Sequence, residues 1–322
     1  MVEGYKVRWF KEEDVEPYIS GLNQYLYLMY DKERFMWKFH DSPWCFESPT
    51  IAVVESGKGS PVAFNGFLPL ELSIGGETFL AVQGCDGFVH PEHRRSGLFA
   101  ETIRFMAAEL AGKGPEFLVG FNFAGAAGAA QKAGSSVSSD VQRWNAPHPE
   151  VSSGATLREI GVGELHDLYE EWASKSDLIH VHRTRRYLEW RYTRSPYRSH
   201  RMYRWEHAGR DGYLVASFGD EQTGVPDAAL EDYSPSLADA ETLRGVASAL
   251  LREAPAERLW LTTQTGSPFE AAASRLGWQP EPRFTVIMKP ISGVEAEGNK
   301  LTRKGRMLTD LSGWLVAGSD IY

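Results

Sequence analysis

One segment of this chain occurs twice. Phe35-Met36-Trp37-Lys38-Phe39-His40-Asp41-Ser42-Pro43-Trp44 returns as Leu188-Glu189-Trp190-Arg191-Tyr192-Thr193-Arg194-Ser195-Pro196-Tyr197, with Trp, Ser and Pro identical. Trp37 and Trp190 are 153 positions apart, and so are Pro43 and Pro196. A period this long exceeds that of a solenoid and reads as a duplicated domain. The residue before Pro avoids the α region, so each copy marks a helix end. The 322 residues also suffice for about two domains.

The order of elements repeats as well. Hydrophobic periodicity predicts helices over 12–28 and 32–41, then strands over 50–55, 61–73 and 77–89, with Gly75-Gly76 as a hairpin turn. A helix over 97–112, a strand over 116–122, an Ala-rich helix over 124–133 and a strand over 136–144 complete the first half. The second half begins with helices over 162–174 and 183–193 and strands over 201–207, 212–219 and 227–233. A helix over 237–253, a strand over 257–264, a helix over 267–276 and a strand over 282–289 follow. The expected organisation is a first domain over 1–147, a linker over 148–154, a second domain over 155–290 and a tail over 291–322 that packs back on them. The fold class is α/β with mixed sheets.

Composition narrows the function classes. Net charge is −9, from 34 Lys+Arg against 43 Asp+Glu, which argues against a general nucleic-acid binder. No apolar run approaches the roughly 20 residues of a membrane span, and MVEGYKVRWFKEED has no signal-peptide core. Two cysteines, Cys45 and Cys85, exclude a disulfide framework. The expectation is a cytoplasmic protein with neither nucleic acid nor membrane as partner. Its nine histidines show no trusted metal-ligand spacing, His180-x-His182 included, so no metal site is expected. The ten tryptophans read mainly as core.

The strongest chemical signal is His90-Pro91-Glu92-His93-Arg94-Arg95-Ser96-Gly97-Leu98-Phe99-Ala100. It joins a strand to a helix start, where N–H groups lack intrahelical partners and the helix dipole is positive. Gly97 permits positive φ and close approach of a ligand to the main chain. Arg94 and Arg95 add charge where phosphate oxygens would sit.

This stretch resembles the phosphate-binding motif of the GNAT N-acetyltransferase superfamily, Arg/Gln-x-x-Gly-x-Gly/Ala after a strand. Arg94 and Gly97 fit; Phe99 stands where a second small residue is usual, with Ala100 one later. The Trp-Arg-Tyr…Ser-Pro-Tyr box and the Gly-Ser-Asp-Ile-Tyr end are similar to bacterial tandem-GNAT proteins, a group that includes aminoglycoside acetyltransferases. The resemblance implies two GNAT-like domains, each a central twisted mixed sheet flanked by helices. It implies acetyl-CoA as acyl donor, splaying strands 79–89 and 116–122. The main chain of Phe88 and Val89 would hold the pantetheine arm and polarise the thioester, a backbone N–H stabilising the developing oxyanion. The amides from Arg94 through Arg95, Ser96, Gly97, Leu98 and Phe99 to Ala100 would cradle the pyrophosphate. Asn122 would bond the pantetheine or cap a turn.

The equivalent stretch of the second half, Asp232-Tyr233-Ser234-Pro235-Ser236-Leu237-Ala238-Asp239-Ala240-Glu241, has neither Arg nor Gly. Asp232, Asp239 and Glu241 would repel a pyrophosphate, so this half is expected not to bind CoA. Acetylation of an amine also needs a base for the acceptor and a proton for the thiolate. The family's Tyr-x-Lys-x-Gly reads Ala130-Gln131-Lys132-Ala133-Gly134 here, so the usual acid is missing. Asp86 on the central strand and the C-terminal carboxylate of Tyr322 are the candidate catalytic groups. Strict alternation places Asp86 on the face opposite Cys85 unless a bulge intervenes. The expected activity is acetyl transfer to a small-molecule or peptide amine. The alternatives are a non-catalytic CoA-binding sensor and a Fem-type aminoacyl transferase.

Overall fold

A computed structural model describes residues 2–122, 124–146, 154–219, 227–254 and 256–321. The linker expected over 148–154 falls almost entirely outside these. In chain order the first half comprises β1 (Tyr5–Trp9), α1 (Val15–Leu26), α2 (Lys32–Phe39), β2 (Ile51–Ser56), β3 (Pro61–Ile74) and β4 (Glu77–Val89). It continues with α3 (Leu98–Leu110), β5 (Phe117–Asn122), α4 (Ala124–Lys132) and β6 (Ser136–Ala146). The second half comprises β7 (Thr156–Glu159), α5 (Val162–Ala173), β8 (His180–Val181), α6 (Arg185–Leu188), β9 (His200–His207) and β10 (Arg210–Phe218). It ends with β11 (Asp227–Tyr233), α7 (Ala240–Glu253), β12 (Arg258–Gln264), α8 (Pro268–Arg275) and β13 (Gln279–Pro290). Periodicity missed β1, β7 and β8, which are short.

These thirteen strands form one mixed sheet, ordered β1-β2-β3-β4-β5-β13-β6-β12-β11-β10-β9-β7, with β8 beside β3, and three short tail strands, Glu295–Glu297, Lys300–Arg303 and Arg306–Met307, form a separate sheet. The halves exchange their last strands. β13 pairs antiparallel with β5, as Ile287 with Gly120, and β6 pairs antiparallel with β12, as Leu261 with Trp144. Sequence periodicity finds both strands but carries no information about which half each joins. The exchange makes the sheet continuous and fixes how the halves face each other.

The repeated box seals this junction. The Trp37 and Trp190 rings stack with centroids 4.5 Å apart. Each indole Nε1–H donates to the other residue's carbonyl, Trp37 to Trp190 at 2.9 Å and Trp190 to Trp37 at 2.7 Å. The two copies thus meet across a local two-fold, and both rings are buried. Burying two indoles while satisfying both N–H groups makes the box a packing device with specified geometry. The copies differ locally. α2 is a regular helix capped by Asp31, whereas the second box runs through a π turn over Glu189–Thr193.

Candidate functional site

The parallel pairing of β4 with β5 stops early. It runs from Ala81–Phe117 to Gly84–Gly120, while β4 continues to Val89 and β5 to Asn122. A bulge diverts β4. Two steps on β3, Phe64 to Gly66, face three on β4, Phe88 to Cys85, and Asp86 takes φ 48°. At Gly87 a Cβ would lie 2.7 Å from Asn65 Oδ1 and 3.1 Å from the Phe99 ring. This close approach explains how the large Phe99 is tolerated: its ring lies in the space a side chain at 87 would need. Asn65 also donates to Thr102 Oγ1 at 3.0 Å, tying β3 to the first turn of α3.

The bulge also answers the question of which way Asp86 faces. Its carboxylate accepts from Lys38 Nζ of α2 at 2.7 Å, and the buried Cys85 thiol neighbours the same ammonium. Both side chains therefore lie toward α2, where strict alternation would separate them. Burial works against the Lys38 charge, but Asp86 outweighs it and holds the ammonium above its ordinary pKa. Burial pushes the Cys85 thiol up to about 12, which makes it an inert thiol at neutral pH.

Beyond the divergence lies the loop into α3. Gly97 takes φ 81° as N-cap and Arg95 takes φ 67°. Arg94, Arg95 and Gly97 are exposed, Ser96 and Phe99 half-buried, and Leu98 and Ala100 buried as anchors of the helix. Arg94 Nε donates to Val89 O at 3.0 Å, closing the loop. His90 N–H donates to Val62 O at 2.8 Å. Ladder parity then turns the Phe88 main chain toward β3 and the Val89 main chain toward the opening. Two amide side chains near the end of this pairing have buried atoms without hydrogen-bond partners among the described residues: Gln83 on β4, opposite Val119, through both amide atoms, and the half-buried Asn122 at the end of β5 through its Nδ2. Orphaned buried amides are costly unless something polar joins them. They suit a ligand with its own amide groups, as the pantetheine arm has. The loop also gathers His90, Glu92 and His93, with ligand atoms within 4.8 Å of one another, a grouping missed in the sequence; His93 Nδ1 already bonds Tyr5 OH at 2.9 Å.

Asp86, on the diverging part of β4, also lines a cavity of about 320 Å³ between the halves, walled by residues of both boxes, including Trp37, Lys38, Arg191 and Tyr197. Trp260 and His200 enter from the second half, and Ile321 from the tail. Burial pushes the His200 imidazole down to about 4, against the pull of Glu231, so it is neutral at pH 7. Tyr322 lies outside the described residues. Trp44, the last residue of the first box, packs on Tyr187. Ala130 is fully buried in α4, so that helix offers no acid at the family's Tyr position.

No protein-family profile matches the chain, and no curated protein sequence matches it either. Solved structures do. A GCN5-related N-acetyltransferase from Anabaena variabilis superposes with TM-score 0.66 at 13% identity, over 89% of this chain and 73% of its own. Eis1 from Mycobacterium abscessus superposes with TM-score 0.56 at 14% identity, over 89% and 74%. The Saccharomyces cerevisiae N-myristoyltransferase, solved with bound myristoyl-CoA, superposes with TM-score 0.57 at 13% identity, over 98% and 90%. The chain has the GCN5-related N-acetyltransferase fold.

The C-terminal half has a strand divergence of its own, and this one is filled. Among the described residues β11 pairs in parallel with β12 from Asp227–Arg258 to Leu230–Leu261, four residue pairs as between β4 and β5. Where the strands part, the tail comes in. Gln264 at the end of β12 donates through Nε2 to Trp314 O, and its Oε1 accepts from Val316 N at 3.2 Å. Tyr233 OH reaches Thr262 O at 2.7 Å and Val316 O at 3.3 Å. Gln264, one residue beyond the register equivalent of Asn122, thus closes on the peptide main chain of the tail.

The anion seat of this half is also filled, by its own side chain. Asp239 caps α7, its Oδ1 accepting from Thr242 N and Oγ1 at 3.0 Å each, and these bonds hold its carboxyl below the usual range. Asp232 does not face the seat as the sequence suggested. It is fully buried and accepts from Arg183 Nε at 2.6 Å and Tyr192 OH at 2.7 Å. Arg183 also donates to both Asp320 oxygens at 3.1 Å, fastening the tail. Glu241 pairs with Arg244 on the surface. Of the remaining sequence candidates, Cys45 and Cys85 are free thiols. His180 is committed to Tyr169 OH and Leu178 O, and His182 to Glu71. No described helix is long and apolar enough to cross a membrane.

Proposed function

We propose that this chain is an acyl-CoA-dependent N-acyltransferase whose first half binds acetyl-CoA and transfers the acetyl group to a small-molecule or peptide amine. The observation that carries the reading is the open β4–β5 divergence, with the orphaned amides of Gln83 and Asn122 near the end of the pairing, leading to the Gly97 helix start. The other half has the same divergence, occupied by its own tail and capped by Asp239.

In this reading the pyrophosphate is held by the main-chain N–H groups from Arg94 to Ala100, with Arg95 adding charge. Asn122 and the Val89 main chain hold the pantetheine arm, and the Val89 N–H is the donor for the carbonyl oxygen. Phe88 contributes its ring, which stacks on Tyr18 at 6.3 Å and stiffens β4. Bound acetyl-CoA supplies the activated acyl group: the amine nitrogen bonds to the carbonyl carbon, the C–S bond breaks and CoA leaves. Asp86 holds the acceptor's ammonium and takes its proton, and Lys38 keeps the carboxylate in place. A thiol is acidic enough, with an ordinary pKa near 8.5 for cysteine, to leave with a proton from water, which suits a site with Ala130 where relatives have Tyr.

Asp86→Asn is expected to keep acetyl-CoA affinity and to lower turnover about 100-fold, the usual worth of a positioned base. Steady-state CoA release checks this, with Asp86→Glu as a charge-keeping control for the buried Lys38. Unchanged turnover in Asp86→Asn would remove Asp86 from the chemistry. Tight acetyl-CoA binding without CoA release over a broad amine panel would instead favour the sensor reading. Failure to bind CoA would favour the Fem-type one.

A further inference from the structure

The cavity that Asp86 lines is strongly basic in a chain whose net charge is −9. Five cationic side chains line it, Arg34, Lys38, Arg143, Arg191 and Arg198, against two carboxylates, Asp86 and Glu231. The cations come from both halves. Arg34 and Lys38 stand on α2, Arg143 on the exchanged strand β6, and Arg191 and Arg198 in and after the second box.

Their placement is specific as well as numerous. Arg143 lies 3.5 Å over the Trp260 ring, Arg34 4.9 Å over Tyr197, and Arg191 5.7 Å over Trp37. Aromatic faces beside guanidinium groups hold them in place and cut the entropy lost on binding an anion; Arg34 also donates to Met29 O, and Arg191 Nε to Ser319 O at 2.9 Å. Arg198 lies 3.5 Å from Glu231, a loose contact on a half-exposed side chain. Asp86, beside the β4 bulge, is paired with Lys38 at 2.7 Å, so the lining carries three more cations than carboxylates. The cavity therefore has a carboxylate on β4, the strand of the proposed transfer point, and a lining that is basic and aromatic on balance.

We infer that the acceptor is an amine that also carries an anionic group, a carboxylate or a phosphate, with the amine at Asp86 and the anion among the arginines. The inference rests on the acyltransferase reading for the identity of the acceptor end. The same charge pattern disfavours polycationic amines such as the aminoglycosides, which the sequence resemblance had brought in.

Matched ligand pairs test this in full-length protein saturated with CoA. Calorimetric affinity is compared for tyrosine and tyramine, for phosphoethanolamine and ethanolamine, and for kanamycin. At least one anion-bearing member should bind tenfold or more tightly than its partner, and the pair that discriminates tells carboxylate from phosphate. Arg198→Gln and Arg34→Gln, both at half-exposed positions, should each erase most of that difference. Equal or tighter binding of tyramine, ethanolamine or kanamycin would overturn the inference, and so would no binding by any anionic member. CoA release with acetyl-CoA is measured in parallel. Selective binding of the anionic amine with no CoA released would leave this inference standing and count against the acyltransferase reading.

Discussion

Gly97→Asp is expected to weaken acetyl-CoA binding by about 100-fold while the protein stays folded. About 2.7 kcal/mol is needed for that factor, within the range for losing charge-assisted bonds and adding a like charge beside a pyrophosphate. The fold is expected to persist because Gly97 is exposed. A Cβ there meets nothing closer than Val2 Cγ2 at 3.9 Å. The backbone φ of 81° costs a non-glycine residue roughly 1–2 kcal/mol locally. Gly97→Ala carries that strain without the charge, so it should lose tenfold or less. Calorimetric titration gives the affinities and thermal unfolding shows that the fold is retained. Equal affinity in Gly97→Asp and the native protein would move the seat elsewhere.

Arg183→Met is expected to cost about 3–5 kcal/mol of stability, as breaking a buried ion pair by removing one partner does. Arg183 is fully buried between Asp232 and Asp320. Methionine fills much of its volume but leaves two carboxylates buried together, Asp232 with the Tyr192 and Tyr213 hydroxyls and the Tyr233 N–H, and Asp320 with the Ala317 N–H. The loss should appear as a fall on the order of 10 °C in the unfolding midpoint, and Asp320→Asn in the same background should recover part of it. A change below about 1 kcal/mol would mean that the tail is held by apolar burial of Trp314, Leu315 and Val316 instead. Arg183 also matters beyond stability. It fixes the segment that fills the second cleft and carries Ile321 to the cavity.

Much of this was legible in the sequence because its signals are local. The Trp37/Trp190 repeat, the Gly75-Gly76 hairpin and the strand–Gly97–helix run are each written in neighbouring residues, and the GNAT fold follows from their order. The exchange of β6 and β13 was not legible, because strand partners are chosen by tertiary packing and both strands carry the same apolar pattern. The bulge at Asp86-Gly87 was foreseen only as a possibility. Its cause is the contact of Gly87 with Asn65 and Phe99, residues 22 and 12 positions away in sequence. Asp232 looked like a repelling charge at a helix start because its partner, Arg183, lies 49 residues earlier. The cationic cavity was invisible for the same reason. Its arginines are scattered from 34 to 198 in an acidic chain and converge only when the two boxes stack.

The central claim is that two equivalent clefts exist and that only the first is open to CoA. Calorimetric titration of the full-length chain with acetyl-CoA tests it most directly through the stoichiometry. One molecule bound per chain, and none in Gly97→Asp at matched concentrations, is the predicted result. Two molecules per chain, or one that persists unchanged in Gly97→Asp, would contradict it.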